Sequence, residues 1–422
     1  MKKLIFKLLL VFFLLVIYMY TLVWQNLPNE LVVFEGEKIN LKTILGINVN
    51  TNQETIEASS NNNETITGEA GKQTLEVSLF DKILTKDIEV DVLQKTTVIP
   101  VGNIAGVKLY TSGVLVVGMS EIEGIDNKKY KPYENTGIEE GDRITKINEK
   151  YISTTNELID VVNNSKGENI TITYIHDEES KECSIEPVQT GSDEYKLGLW
   201  VRDSAAGVGT VTFYEPSTKT FGALGHGITD IDTGELINIA SGEFVTTRIL
   251  NITKGEDGNP GKIQGTIENQ KNIGQIDKNS KFGIYGKVDN LSSLEIDTSK
   301  EMEVATRDEI QEGKATILCS LDNKTVQEYE IEIEKIFKEN NYDNKSMQIK
   351  VTDKTLLEKT GGIIQGMSGS PIIQNGKFIG AVTHVLVNNP EEGYAVFGDI
   401  MIKQSKETNW GFGDGPKSSF RI

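Results

Sequence analysis

Three observations predict a mainly β chain carried on an N-terminal helix, with a small β module, a mixed α/β domain and a double β-barrel. Residues Leu8 through Asn29 carry no charge and are nearly all apolar as far as Trp24. Between 98 and 190, strand-forming runs surround one amphipathic helix pattern. From 191 to 422 strand formers recur with turn signals at Gly258-Asn259-Pro260-Gly261 and Gln374-Asn375-Gly376-Lys377.

Residues 1–28 read as a cytoplasmic stub and transmembrane anchor, because the uncharged run is long enough to cross a bilayer. Tyr18 through Gln25 contain no small-residue cleavage site, which favours an uncleaved anchor over a signal peptide. Lys2, Lys3 and Lys7 place the amino terminus in the cytoplasm, and Tyr18, Tyr20 and Trp24 suit the far interface. Residues 29–97 follow as a β module, with strands at Glu30–Phe34 and Leu75–Phe80 and a polar loop between Asn50 and Thr67; a spacer role is expected. Gly68 to Thr74 resembles a P-loop but fails on spacing, since Ile66 stands where its first glycine belongs and Gln73 follows Lys72.

The block 98–190 opens with strands at Gly106–Tyr110 and Gly113–Gly118. Asn135-Thr136-Gly137-Ile138-Glu139-Glu140-Gly141-Asp142-Arg143-Ile144 follows. Thr154 and Glu157 have capping-box spacing ahead of Leu158, Val161 and Val162, which share one helical face. This pattern resembles a PDZ domain. The resemblance implies a peptide ligand added as a strand, with Gly113, Val114, Leu115 and Val116 at the binding edge and the loop between Tyr110 and Gly118 taking a terminal carboxylate.

The chain has 422 residues, 37% of them hydrophobic, which is enough for ordinary globular cores. Its formal net charge of −19 argues against nucleic acid and against tight docking on anionic lipid. Cys183 and Cys319 fall in different predicted domains, so the fold is expected to stand without a disulfide. No Cys/His metal pattern or HExxH helix occurs, and no cofactor or metal is expected.

The chemistry concentrates in Gly361-Gly362-Ile363-Ile364-Gln365-Gly366-Met367-Ser368-Gly369-Ser370-Pro371. A serine hydroxyl is a weak nucleophile, so a turn that uses one must expose it and aim backbone N–H groups at the developing oxyanion. Ser368 fits the nucleophile, with the amides of Gly366 and Ser368 as donors. Three histidines are available as base: His176, His226 and His384. His226 is flanked by glycines and is the expected base. His384 lies in a run of strand formers and reads as a cleft-wall or substrate-contacting residue, with the role of backup base left to it, and His176 as a solvated surface residue. Asp353, Asp230 and Asp232 compete as the assisting carboxylate, the last two with turn capping as their expected role.

Gly366-Met367-Ser368-Gly369-Ser370-Pro371 resembles the nucleophile turn of chymotrypsin-clan peptidases. With Leu197-Gly198-Leu199-Trp200-Val201-Arg202-Asp203, Gly222–Gly227 and Gly376–Val385, the pattern resembles the SpoIVB peptidase family over nearly the whole chain. The resemblance implies a chymotrypsin-like double barrel over 191–422, with His226 as base, Asp353 as assisting carboxylate and Ser368 as nucleophile. It further implies a sporulation protease secreted by the forespore that processes itself and cuts a regulator of an intramembrane protease, thereby activating a late mother-cell sigma factor. The competing readings are a PDZ-bearing membrane scaffold with an inactive protease-like domain, and an esterase using the same triad.

Overall fold

The computed structural model describes residues 2–27, 30–36, 38–39, 47–51, 57–58, 65–66, 70–79, 84–294, 296–323, 325–337 and 343–407. Most of the polar loop expected between Asn50 and Thr67 lies outside the described residues, as do Gly68 and Glu69. Helix α1 (Lys2–Asn26) occupies the expected anchor, and several of its side chains also lie outside the described set. Those of Phe12 through Leu15 are exposed; among the described residues no helix is long and apolar enough to cross a membrane.

Strands of four or more residues are numbered in chain order. β1 (Glu30–Phe34), β2 (Ile47–Thr51), β3 (Gly71–Leu79) and β4 (Leu84–Leu93) form a four-stranded sheet in the order β1-β4-β3-β2. Next come β5 (Thr97–Pro100), β6 (Ile104–Met119), β7 (Arg143–Ile147), helix α2 (Thr155–Asn164), β8 (Ile170–His176) and β9 (Glu179–Ile185). The first barrel adds β10 (Leu199–Glu215), β11 (Thr220–Ala223), β12 (Ile239–Thr253), β13 (Lys262–Ser280) and β14 (Gly283–Val288). The second contains β15 (Gly313–Ser320), β16 (Val326–Ile336), β17 (Met347–Val351), β18 (Pro371–Gln374), β19 (Lys377–Leu386) and β20 (Asn389–Phe397). Helix α3 (Lys354–Thr360) precedes β18, and α4 (Gly398–Lys406) follows β20.

Strand pairing closes two six-stranded barrels. In the first, β6 pairs β12, and the ladder runs through β13, β14, β11 and β10 back to β6. In the second, the order β15-β16-β17-β20-β19-β18 is closed. Closure removes most of the exposed edges that an open antiparallel sheet would leave, the stretch of β10 ahead of Val211 keeping one free side. Period-two burial drives it: Tyr329, Ile331 and Ile333 of β16 point inward while Glu328, Glu330 and Glu332 point out. Phe221 of β11 stacks on Phe244 of β12 at 4.6 Å in the first core, each ring contributing roughly 1.5–3 kcal/mol by burial. The expected turn at Asn375-Gly376 joins β18 to β19 with φ of 52° and 76°, the left-handed pair that a two-residue type I′ hairpin requires.

The PDZ sheet hangs on the first barrel rather than beside it. β6 lies in the barrel over Ile104–Tyr110, then continues as a PDZ strand whose Val114 and Leu115 pair β7. β10 does the reverse: Leu199–Arg202 pair the PDZ half of β6, and Ser204–Thr210 pair its barrel half. The expected boundary at 190/191 therefore does not separate two sheets. Helix α2 starts with the predicted capping box: Glu157 N–H donates to Thr154 Oγ1 at 3.2 Å, and Thr154 N–H to Glu157 Oε2 at 3.2 Å. Leu158 and Val162 bury its apolar face among Val114, Val116, Ile144 and Ile172.

Candidate active site

Ser368 sits in the turn between α3 and β18, at a cleft of about 720 Å³ where the two barrels meet; His226, His384 and Gly366 share that cleft. The turn is fastened from the first barrel by one residue of β10. Thr210 N–H donates to Ser368 O at 3.0 Å, and Thr210 Oγ1 donates to Gly366 O at 2.7 Å. Gly366 and Gly369 adopt φ of +102° and +96°, and a Cβ on Gly369 would lie 2.2 Å from Thr210 O, so only glycine fits there.

The amides of this turn divide into two groups. Met367 N–H donates to Ile364 O, Gly369 N–H to Val382 O and Ser370 N–H to Met367 O. The N–H groups of Gly366 and Ser368 donate to nothing among the described residues. Two unengaged amides flanking a cleft-facing serine form the arrangement an oxyanion needs, fixed in place before any substrate arrives. The Ser368 hydroxyl itself donates to Thr383 O at 2.8 Å. Attack requires that hydroxyl to rotate from Thr383 towards a base.

His226 follows Leu224 and Gly225, whose φ values of +70° and +69° swing the chain sharply after β11 and present the imidazole to the cleft. Its Nδ1 lies 2.8 Å from Gly227 O. A carbonyl only accepts, so Nδ1 carries the proton and Nε2 keeps a lone pair for a hydroxyl proton. Burial pushes the His226 pKa below its ordinary value, while the bond to Gly227 O pulls weakly the other way. The His384 ring centroid lies 5.1 Å from that of His226. Its Nδ1 is buried with no partner among the described residues, and its pKa is pushed down to about 4 by burial first, then by His226 and Lys345.

Two expected placements need correction. Asp353 is not brought to His226: it is the N-cap of α3, where its Oδ1 accepts from Leu356 N–H at 2.9 Å, and it does not line the cleft. Among the described residues no carboxylate hydrogen-bonds to His226; the Gly227 carbonyl holds the tautomer instead. Nor can Gly113, Val114, Leu115 and Val116 form the peptide-binding edge. β7 pairs Val114 and Leu115 on one side, and β10 pairs Leu115 and Val116 on the other. Val114 and Val116 are 0% exposed, and a Cβ on Gly113 would lie 2.6 Å from Ile144 O.

The remaining candidates have structural partners. His176 is half-buried, not solvated, because its Nδ1 pairs with buried Asp142 at 2.7 Å, and that pairing raises its pKa. Asp230 Oδ1 accepts from the N–H groups of Asp232 and Thr233, holding the turn beyond His226. Arg202 of β10 pairs with both Asp230 and Asp232. Sequence reasoning missed Thr210, Thr383, Gly227 and Arg202. Arg202, Gly227 and Thr383 each stand in a motif named above, but Gly227 and Thr383 act through main-chain oxygens that no side chain announces, and Thr210 acts from a distant strand.

A serine and an imidazole in one cleft between two barrels, with two unengaged amides beside the serine and an attached PDZ domain, fit a serine peptidase. Residues 193–402 match the profile of the SpoIVB peptidase S55 family, and residues 107–186 match that of the PDZ domain. The chain belongs to the SpoIVB peptidase family and is a sporulation serine peptidase. Among solved structures, the PDZ domain of the SdrC-like protein from Listeria monocytogenes is similar at 20% identity, covering 21% of this chain and 87% of that one. Its TM-score of 0.17 carries no structural argument. No curated protein matches.

Proposed function

We propose that the chain is a membrane-tethered endopeptidase in which Ser368 is acylated, His226 shuttles the proton, and the Gly366 and Ser368 amides hold the oxyanion. The observation that carries this is the unengaged amide pair beside Ser368 in the cleft that also contains His226. The Ser368 hydroxyl leaves Thr383 O, gives its proton to His226 Nε2 and attacks the scissile carbonyl. The imidazolium then protonates the leaving amine, and water repeats the sequence to release the acyl group. His384 lines the substrate side of the cleft, and its low basicity keeps a second positive charge away from the developing imidazolium.

The uncharged run from Leu8 supports an anchor that leaves the catalytic part outside the cytoplasmic face, in the intermembrane space on the forespore side. The small β module acts as a spacer above it. The physiological targets are the chain itself and a protein regulator of an intramembrane protease, whose cleavage activates a late mother-cell sigma factor; this placement rests on the family.

The test is self-cleavage. The segment from Pro28 onward is prepared unchanged and as Ser368→Ala, and intact mass is followed over hours. Discrete fragments from the unchanged protein and none from Ser368→Ala are expected. Equal fragmentation of both removes Ser368 as nucleophile.

A further inference from the structure

β10 is shared by the PDZ sheet and the first barrel, and one of its edges is unpaired over most of its length. From Leu199 to Thr210 the strand pairs with β6; on the other side no described strand joins it until β11 pairs at Val211. Thr210 shows which way the backbone faces. Its N–H donates to Ser368 O and its carbonyl accepts from Leu224 N–H, both on the side away from β6. The register from Ser204 to Thr210 is unbroken, so Ser204, Ala206 and Val208 turn their N–H and C=O groups to that same side. Ala206 and Val208 line the cleft that contains Ser368.

The other end of this edge lies in the PDZ domain. Leu199 and Val201 pack against the PDZ core beside Leu158 and Val162 of α2, and Asp203 Oδ2 accepts from Thr155 N–H at 2.7 Å where that helix begins. The turn before the strand, Leu197-Gly198, has Gly198 at φ +75°, and neither its amide nor that of Leu197 donates to anything among the described residues. Two adjacent unengaged amides in such a turn suit a carboxylate. The strand bends at register shifts beside Trp200 and Arg202. The second bend is held from both units, by Asp203 on α2 and by Arg202 on Asp230 and Asp232.

Polarity joins the two ends. A peptide added antiparallel to β10 runs from the cleft towards Leu199, so its carboxyl terminus arrives at the Leu197-Gly198 amides while an upstream peptide bond lies at Ser368. We propose that the free edge of β10 is a single docking rail for an extended substrate with a free carboxyl terminus, seating that terminus in the PDZ turn and thereby fixing how far upstream the chain is cut. Leu199 to Val208 spans roughly 30 Å at about 3.3 Å per residue, so the cut falls about ten residues before the terminus. The part concerning the cut rests on Ser368 as nucleophile.

Docking is tested without turnover in the full chain carrying Ser368→Ala. The probe is a peptide of about sixteen residues, long enough to overrun the rail, made of Ser and Thr with Val at alternate positions and a free terminal Val. Hydrogen exchange is expected to slow about tenfold at Leu197–Leu199 and at Ser204–Val208 together, and the carboxyl-amidated peptide to bind about tenfold more weakly. Protection at one stretch alone, no protection, or equal binding of acid and amide overturns the rail.

In the unchanged protein, lengthening the peptide by a few residues at its carboxyl terminus should move the cut by the same number. A cut that keeps its sequence position overturns the ruler. Full protection with no cleavage would instead count against Ser368 as nucleophile and leave the docking in place.

Discussion

At the scale of the residue, His226 is governed by what surrounds its two ring nitrogens. Burial disfavours its charged form, and the Gly227 carbonyl keeps the proton on Nδ1. Because its pKa in the folded protein lies below the ordinary value of about 6.5, lowering the pH protonates Nε2 only below that value. The acid limb of kcat/KM should therefore have its midpoint below about 6.5 in a pH–rate profile. A midpoint at or above that value would require a negative partner on Nδ1 in place of the carbonyl.

Ser368 and His226 were legible in the sequence because glycines mark turns and turns present side chains. Thr383 was not, since it acts through its main-chain oxygen, and any residue in that strand has one.

At the scale of the element, α3 is a short helix with a large positional duty. Asp353 begins it, Gly361 ends it with φ +71°, and the nucleophile turn follows directly. The closeness of Asp353 to Ser368 in sequence invited a catalytic role, yet the same spacing is what a capped helix ahead of a turn produces. Replacing Asp353 with alanine should lower stability by about 1 kcal/mol by removing the cap. Asp353→Ser should recover most of it, because serine caps nearly as well. Thermal melts and the pH–rate profile separate the two roles: if Asp353→Ser melts like the unchanged protein yet loses most of its activity, and the acid limb of the remainder moves, the carboxylate acts on His226 after all.

The PDZ strands were legible from their turn-and-strand pattern, and the capping box of α2 placed the helix to the residue. The binding edge was misplaced because the strand completing the sheet, β10, lies some eighty positions beyond β6, past the span read as the PDZ domain.

At the scale of the whole molecule, closure of two barrels leaves little that a sequence read in windows can show. Alternation in β16 is plain, but which strands close a ring depends on partners far apart in the chain. The same distance hides the ion pair between Arg307, ahead of β15, and Asp399 at the start of α4. These two meet at 2.6 Å, both buried, with the guanidinium 5.0 Å from the Phe397 ring. The pair ties the last helix to the second barrel. Asp399→Ala leaves a buried positive charge, so chemical denaturation should report a loss of about 3–5 kcal/mol, whereas breaking an exposed, solvent-screened pair such as Lys128–Asp126 should leave stability nearly unchanged.

The shared strands β6 and β10 also bear on ancestry. Because each gives one half to the PDZ sheet and the other to the barrel, neither unit could be lost, duplicated or exchanged by recombination at its border without tearing two strands from its neighbour. A lineage carrying this architecture would inherit reader and cutter as one heritable block, and shuffling between relatives would succeed only where both strands cross over together.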